Sequence, residues 1–316
     1  MTKPKVFVQI PCYNEEKTLP LVLETIPKEI PGVDLEILVI DDGSSDKTIE
    51  IAKKYGVKHF VIFARNMGLA RAFQEGVNYA LGHGADIVVN TDGDNQYPQG
   101  RIPDLIQPIL DGEADIVIAD RQTSKIAHFS PLKKLLQRFG SYIVNQAAGT
   151  NLPDAASGFR AYSKKSLLRL NVVTKFSYCM ETIIQAGNKN LAIVSLPVTT
   201  NKKTRESRLF KSMRQHVFKS MQAIVRSYIM FKPYGAFMFL GTLFLIVGLI
   251  PFVRYFYLVI SNTQGDHIQS LLLGSVLLVG AFLSYALAVI SDLIRTNRIL
   301  IEDTLERVKK IQYDKK

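Results

Sequence analysis

Two uncharged apolar runs near the C-terminal end limit what this 316-residue chain can become. They read "YGAFMFLGTLFLIVGLIPFV", Tyr234 to Val253, and "LLLGSVLLVGAFLSYALAVI", Leu271 to Ile290, twenty residues each. A helix of twenty residues is about 30 Å long, the thickness of a hydrocarbon core. A helix packed on a soluble domain keeps a polar stripe, and neither run has one. The pair therefore predicts a transmembrane hairpin over 233–294, with spans at about 234–256 and 268–292.

Charge placement orients that hairpin. A net charge of +11 would fit a nucleic-acid binder if it covered the folded part, but residues 1–200 carry 22 Lys and Arg against 21 Asp and Glu. The excess lies in residues 201–233, nine basic residues against Glu206 alone, and in 295–316, seven against four. No nucleic-acid partner is implied. The connector "SNTQGDH" holds neither Lys nor Arg, so the positive-inside rule predicts an integral protein of the cytoplasmic membrane with both termini and the first 230 residues in the cytoplasm. The two cysteines, Cys12 and Cys179, form no CxxC or Cys/His cluster and read as reduced thiols. The opening "MTKPKVFVQIPCYNEE" is too short in apolar residues for a signal peptide and reads as a first strand.

Ahead of the first span, Phe210, Met213, Val217, Met221, Ile224 and Tyr228 recur at steps of three and four, with Lys211, Arg214, Lys219 and Arg226 largely off that stripe. The pattern fits a helix lying among anionic lipid headgroups, or one packed on the soluble domain with its basic face in water. The organisation expected is a soluble domain over 1–208, an amphipathic interfacial helix over 209–232, the hairpin over 233–294 and a basic tail over 295–316.

Within the soluble domain, "KVFVQI", "LEILVID", "HFVIFA", "ADIVVNT" and "ADIVIA" are short and rich in Val and Ile. Helix-like segments such as "SDKTIEIAKKYG" and "GLARAFQEGVNYALG" separate them, which predicts an α/β, doubly wound, mostly parallel sheet. Ser44 or Ser45 can cap the first of these helices and Gly56 end it; Gly82 or Gly84 can end the second. Ligands of such sheets bind beyond the carboxyl ends of the strands. Five polar loops converge there: "PCYNEE", "DDGSSD", "ARNMG", "DGDNQYP" and "DRQTS". No GxGxxG follows the first strand and no GxxxxGK[ST] occurs, so the usual phosphate cradles are missing. Asp92 and Asp94, one residue apart, repel each other, so either they are solvated turn residues or a cation sits between them. They are suited to Mg²⁺ or Mn²⁺, which take carboxylate oxygens and bridge to diphosphate. In extended chain Asp92, Asp94 and Gln96 would point to one side.

Those segments, in that order and approximate spacing and together with "RNMGLARAFQEG" and "SGFRAYS", resemble the family 2 glycosyltransferases of the GT-A fold. Within them they are similar to the dolichol-phosphate mannose synthase and bactoprenol glucosyltransferase type. The resemblance covers residues 5 to about 210 and extends to the hairpin. It implies nucleotide-sugar binding by Pro11, Tyr13, Glu15, Asp42, Arg65, Gly68 and Asp92, with Gly68 equally readable as a helix-start glycine. It implies a metal held by Asp92, Asp94 and Gln96, a phosphate contact from Arg121, and an acidic residue near the sugar at Asp154. Asp154 also reads as a turn or N-cap residue, and Arg160 as a structural ion-pair partner. Arg205, Ser207 and Arg208 match a Ser-basic set for acceptor phosphate.

The function implied is inverting, metal-dependent transfer of a hexose from a nucleotide diphosphate sugar, UDP-linked before GDP-linked, to a polyprenyl phosphate. Asp94, Asp154 and Arg121 are the expected catalytic residues. A transferase acting on a lipid hydroxyl, and a degenerate membrane-tethered subunit that only binds nucleotide sugar, are the alternatives. A processive synthase is disfavoured because its QxxRW motif needs a tryptophan and the chain has none. A homo-oligomer is compatible with the resemblance, although the spans contain no GxxxG.

Overall fold

Runs of Val and Ile become the strands they predict. In the computed structural model, which describes residues 3–123, 131–173, 178–201, 233–261 and 268–314, β1 is Lys5–Cys12, β2 Asp34–Asp41, β3 His59–Ile62, β4 Ile87–Asn90 and β5 Ile116–Asp120. Two further strands, β6 (Arg160–Ser163) and β7 (Ile193–Pro197), complete a seven-stranded sheet in the order β3-β2-β1-β4-β6-β5-β7. All neighbours are parallel except at β6, which runs against both β4 and β5. Helices α1 (Leu19–Thr25), α2 (Thr48–Lys54), α3 (Leu69–Gly82), α4 (Ile102–Leu110), α5 (Pro131–Ala148), α6 (Lys164–Arg169) and α7 (Tyr178–Asn188) occupy the connections.

The centre of the sheet is closed on both faces. Val6, Phe7, Val8 and Ile10 of β1 and Val88 and Val89 of β4 have no exposed surface. Each such side chain contributes about 1.5–3 kcal/mol on leaving water, which is why these strands are continuously apolar rather than alternating. One polar pair lies in this interior: Gln9, opposite Asn90 in the register, donates from Nε2 to Asn90 Oδ1 at 2.9 Å.

Strand order sets where a ligand can go. The chain leaves β1 toward β2 and β3 on one side and toward β4 on the other, so the switch point at which such sheets bind ligands falls at the carboxyl ends of β1 and β4. The antiparallel β6 starts at that same edge, pairing Arg160 with Asn90 and Ile118, and brings the preceding residues to the end of β4.

Helix punctuation is partly corrected. Neither Ser44 nor Ser45 caps α2; Asp46 does that work, its Oδ1 accepting from the Thr48 backbone N–H at 3.0 Å and from the Thr48 hydroxyl. The serines are taken by the first loop: Asn14 N donates to Ser44 Oγ at 2.9 Å, and Ser45 N to Asn14 Oδ1 at 2.8 Å. Gly56 and Gly84 follow their helices in the left-handed region, at φ +81° and +80°.

The chain divides into two compact units, Met1–Ile224 together with Asp303–Lys316, and Val225–Glu302. The second holds α8 (Pro233–Ile260) and the larger part of α9 (Ile268–Asp314). Only 11% and 22% of their most apolar windows is buried, far less than in core helices of a soluble protein. Small residues seat the two helices against each other. A Cβ on Gly241 would lie 2.7 Å from the Tyr285 ring, and one on Gly274 would lie 2.9 Å from the Gly248 carbonyl oxygen. Thr242 Oγ1 and Tyr285 Oη share a hydrogen bond of 3.2 Å.

The last turns of α9 belong to the first unit. Buried Lys309 donates from Nζ to the Leu170 carbonyl at 2.8 Å, and Glu306 meets Arg169 at 3.4 Å. Burial, with Lys189 nearby, pushes the Lys309 ammonium down to about 8, against a smaller opposing pull from Glu306. A base depressed in the folded state adds stability that is complete above its unfolded value, about 10.4, and lost as pH falls through the folded value. Thermal midpoints of the detergent-solubilised protein should therefore gain more between pH 7 and pH 10 in wild type than in Lys309→Met, and the variant should be the more stable at pH 7.

Candidate active site

Glycine at position 43 lets two loops meet. Gly43 follows β2 at φ +73°, and a Cβ there would lie 2.6 Å from the Arg65 carbonyl carbon, so no side chain fits. Beside it Asp42 accepts from Met67 N at 2.6 Å and from Gly68 N at 3.0 Å, pinning the "RNMG" loop to the "DDGSSD" loop. Burial holds the Asp42 carboxyl above its ordinary range; the two N–H groups pull it down, and neighbouring Asp41 pushes it up. Gly68 occupies the N-cap position of α3 at φ +91°, so it starts a helix and contacts Asp42, while Arg65 is exposed on the same loop.

The loop after β1 is fastened to the loop after β2. Glu15 N donates to Thr48 Oγ1 at 2.9 Å, Glu16 N to Asp46 Oδ2 at 3.1 Å, and Asn14 bridges to Ser44 and Ser45 from the left-handed region, φ +57°. Tyr13 stands at that edge with 41% of its surface exposed, and Pro11, next to last in β1, pairs with Ile40. Glu15 is buried and accepts from the Thr18 hydroxyl at 2.6 Å. Sequence reasoning passed over Asp41. Its Oδ2 accepts from Ser44 N at 3.2 Å, while its buried Oδ1 has no hydrogen-bond partner among the described residues.

Asp92 and Asp94 follow β4, each half-buried. The chain turns here instead of continuing extended, which corrects the expectation that residues 92, 94 and 96 share one side of a strand. Asn95 adopts φ +59°, and Gln96 N folds back to donate to Asp94 Oδ1 at 3.1 Å. Gln96 thus meets Asp94 through its backbone. The turn lies against the first loop, since a Cβ on Gly93 would sit 3.0 Å from Cys12 Sγ and 3.3 Å from Glu15 Cγ. Burial pushes the Cys12 thiol well up, and Glu15, Asp41, Asp46 and Asp92 all push the same way. Four carboxylates therefore bear on the end of β1, a strongly negative field.

A buried network supports Asp92 from below. A Cβ on Gly158 would come within 3.1 Å of Asp92 Oδ2, so this glycine leaves room for the carboxylate. Gly158 N donates to Tyr97 Oη at 2.9 Å, and its carbonyl accepts from Asn90 Nδ2 at 3.0 Å and Tyr178 Oη at 3.1 Å. The signal in the sequence was slight: one Asn closing an otherwise apolar strand, and tyrosines with no pattern.

Arg121 and Asp154 are brought together. Nε donates to Oδ2 at 2.6 Å and Nη2 to Oδ1 at 2.9 Å, with only 9% and 3% of the two residues exposed. Asp154 Oδ1 also accepts from Ala156 N at 3.1 Å, so the turn reading of this residue holds as well. Burial alone would raise the Asp154 carboxyl, yet the Arg121 guanidinium and the backbone N–H groups hold it below its ordinary range. Tyr97 feels Arg121, Asp92 and Asp154 together, which sets the ion pair and the Asp turn in one electrostatic neighbourhood. Arg160 is fully buried and donates to the carbonyls of Ala155, Ser157 and Cys179 and to the Thr182 hydroxyl. Its partners are neutral oxygens, which corrects the ion-pair expectation and makes it the organiser of residues 155–158. Arg205, Ser207, Arg208 and the amphipathic stripe lie outside the described residues.

The donor set suits a small divalent cation. Among the described residues no three His, Cys, Asp or Glu side chains gather tightly enough to hold a metal alone. Mg²⁺ and Mn²⁺ are commonly held by one or two carboxylates, with water and substrate phosphate completing the shell, and Asp92 and Asp94 fit that share.

A mixed sheet of this order, with paired carboxylates at its carboxyl edge, defines a GT-A transferase. The chain belongs to glycosyl transferase family 2, whose model matches residues 7–170, and it is a glycosyltransferase. It is 29% identical over 225 residues to a UDP-N-acetylglucosamine–dolichyl-phosphate N-acetylglucosaminyltransferase of Methanococcus voltae, covering 63% of this chain and 87% of that one. It is 27% identical over 205 residues to an undecaprenyl-phosphate mannosyltransferase of Micrococcus luteus, covering 62% and 83%. A dolichol-phosphate mannosyltransferase of Pyrococcus furiosus is 32% identical over 234 residues, covering 69% of this chain and 64% of its own length. Among solved structures, glucosyl-3-phosphoglycerate synthase of Mycobacterium tuberculosis with Mn²⁺, UDP-glucose and phosphoglyceric acid shares the fold, with a TM-score of 0.55 at 23% identity over 70% of this chain and 79% of that one.

Proposed function

We propose that this enzyme transfers a hexose from a nucleotide diphosphate sugar to a polyprenyl phosphate at the cytoplasmic membrane face, with inversion at the anomeric carbon. The observation that carries the choice of acceptor is the Arg121–Asp154 pair. A hydroxyl acceptor needs a general base, and the acidic side chain expected to serve is held ionised and engaged by an arginine, which makes it a weak base. A phosphate monoester needs none, because its second pKa near 6 leaves it largely dianionic at neutral pH. The names of the three relatives support the same acceptor class, and the two poorly buried apolar helices support a membrane location.

The residues divide the work by chemistry. Tyr13 presents an exposed ring on which a base can stack, and Pro11, Glu15, Asp41 and Asp42 line the edge where base and ribose would lie. Arg65 and Gly68 are on the loop that borders it. Asp92 and Asp94, with Gln96 beside them, would hold Mg²⁺ or Mn²⁺. Bound there, the cation would neutralise the charge that develops on the departing diphosphate. Arg121, oriented by Asp154, would meet phosphate oxygen. Basic residues at 205 and 208, with Ser207, would position the acceptor phosphate, and the lysines and arginines flanking the hairpin favour a cytoplasmic orientation. The bond from the anomeric carbon to the β-phosphate oxygen breaks as one from an acceptor phosphate oxygen forms, and nucleoside diphosphate leaves. UDP is favoured as the nucleotide, following the donor named for the Methanococcus relative; GDP is the alternative.

The test is product analysis in vesicles supplied with Mn²⁺, polyprenyl phosphate or polyprenol, and UDP- or GDP-linked sugars. The expected result is a lipid-linked monophosphate sugar from the phosphate acceptor alone. Its rate should rise through about pH 6 with the acceptor's second ionisation and stay flat above, since Asp154 titrates below its ordinary value. Glycosylated polyprenol in place of that product would establish the hydroxyl reading instead.

A further inference from the structure

The turn bearing Asp94 is gripped by a residue 106 positions away, and we propose that Asn201 is a positioning residue for the Asp94 carboxylate. The proposal rests on the metal role argued for Asp92 and Asp94. Asn201 lies just beyond β7, and its Nδ2 donates to the Asn95 carbonyl at 3.0 Å and the Tyr97 carbonyl at 3.2 Å, with Asn95 Oδ1 at 3.4 Å. Its backbone N–H donates to the Gln96 carbonyl at 2.9 Å. One asparagine thus holds three consecutive carbonyls of the turn.

The lever is the Asn95–Gln96 peptide. A peptide unit is planar, so its C=O and N–H cannot reorient independently. Here the oxygen is held by Asn201 and the N–H donates to Asp94 Oδ1 at 3.1 Å. Fixing one end therefore aims the other at the carboxylate. Asn95 sits at φ +59°, a region that non-glycine residues occupy at some energetic cost and keep only when neighbours hold them there. Without the Asn201 amide the peptide is released, and the Gln96 N–H is no longer held toward the carboxylate. The residue type also matters. An amide offers two N–H donors without charge, alanine offers none, and aspartate would set a negative acceptor against two carbonyl oxygens.

The experiment compares full-length wild type, Asn201→Ala and Asn201→Asp in detergent. Mn²⁺ binding is read by electron paramagnetic resonance with UDP or GDP present, and amide hydrogen exchange is followed without metal. Asn201→Ala should weaken Mn²⁺ binding about tenfold and Asn201→Asp further, within the range that orienting partners of metal ligands usually command. Exchange should quicken at residues 95–97 more than elsewhere in the domain, with only a small fall in the thermal midpoint. Wild-type Mn²⁺ affinity in both variants would overturn the positioning role alone. No Mn²⁺ binding by wild type with either nucleotide would overturn the metal reading of Asp92 and Asp94, and this inference with it.

Discussion

Asp94→Asn is expected to lower sugar transfer by about 10²–10³-fold, the range seen when one preorganised group that stabilises departing charge is removed. The substitution isolates charge from structure. An asparagine side chain keeps an oxygen able to accept from Gln96 N, so the turn retains its shape. What it removes is half of the paired negative charge that would hold a divalent cation beside the diphosphate. Nucleoside diphosphate release and lipid product should fall together, and the Mn²⁺ concentration for half-maximal rate should rise. Asp92→Asn should behave alike, because it removes the other half of that paired charge. Product formed at the wild-type rate by Asp94→Asn would remove this residue from the metal site.

Asp154→Ala should destabilise the catalytic domain by about 3–5 kcal/mol, the usual result of leaving one partner of a buried ion pair without its counter-charge. Arg121 is only 9% exposed and cannot recover that interaction from water. Activity lost in this variant would report unfolding, not chemistry. Asp154→Asn is the informative change, since an amide oxygen can still accept from Ala156 N and from the guanidinium. With a phosphate acceptor its loss of rate should be far milder than that of Asp94→Asn. A loss as deep would mark Asp154 as an essential base and point to a hydroxyl acceptor. Stability against pH gives a second reading. A carboxyl depressed in the folded state adds stability that is present above its unfolded value, about 3.9, and lost as pH falls through the folded value. Wild type should therefore lose stability more steeply than Asp154→Asn below about pH 4.

Much of this site is visible along the chain because the governing rules are local. Five apolar runs became β1 to β5, and the polar segments after them meet at one edge, as their positions after parallel strands require. The two helices long and apolar enough to cross a membrane announced themselves by length and uniform apolarity. The failures were also local rules, applied where something else governed. Period-two logic assumed that the strand continued past Asn90, whereas Asn95 turns it back. A serine beside a helix start is a good cap, yet Asp46 sat closer and the first loop claimed both serines. Arg160 resembled an ion-pair partner because an arginine's charge is evident in sequence and its neutral carbonyl partners are not.

The sequence by itself determined the family, the order of the motifs, the Asp pair and the hairpin, since each depends on residue type and near-neighbour spacing. Only the tertiary structure decided what each charged group faces. It inserted β6 against its neighbours, placing Gly158 beneath Asp92, closed Arg121 on Asp154, packed α8 and α9 through Gly248 and Gly274, and set Asn201 on the Asp94 turn. These partners stand 26 to 106 residues apart; one of the links ends on backbone carbonyls and others are mere room for a neighbour. Backbone groups are identical in nearly every residue, and empty space has no letter, so neither leaves a trace until the chain has folded.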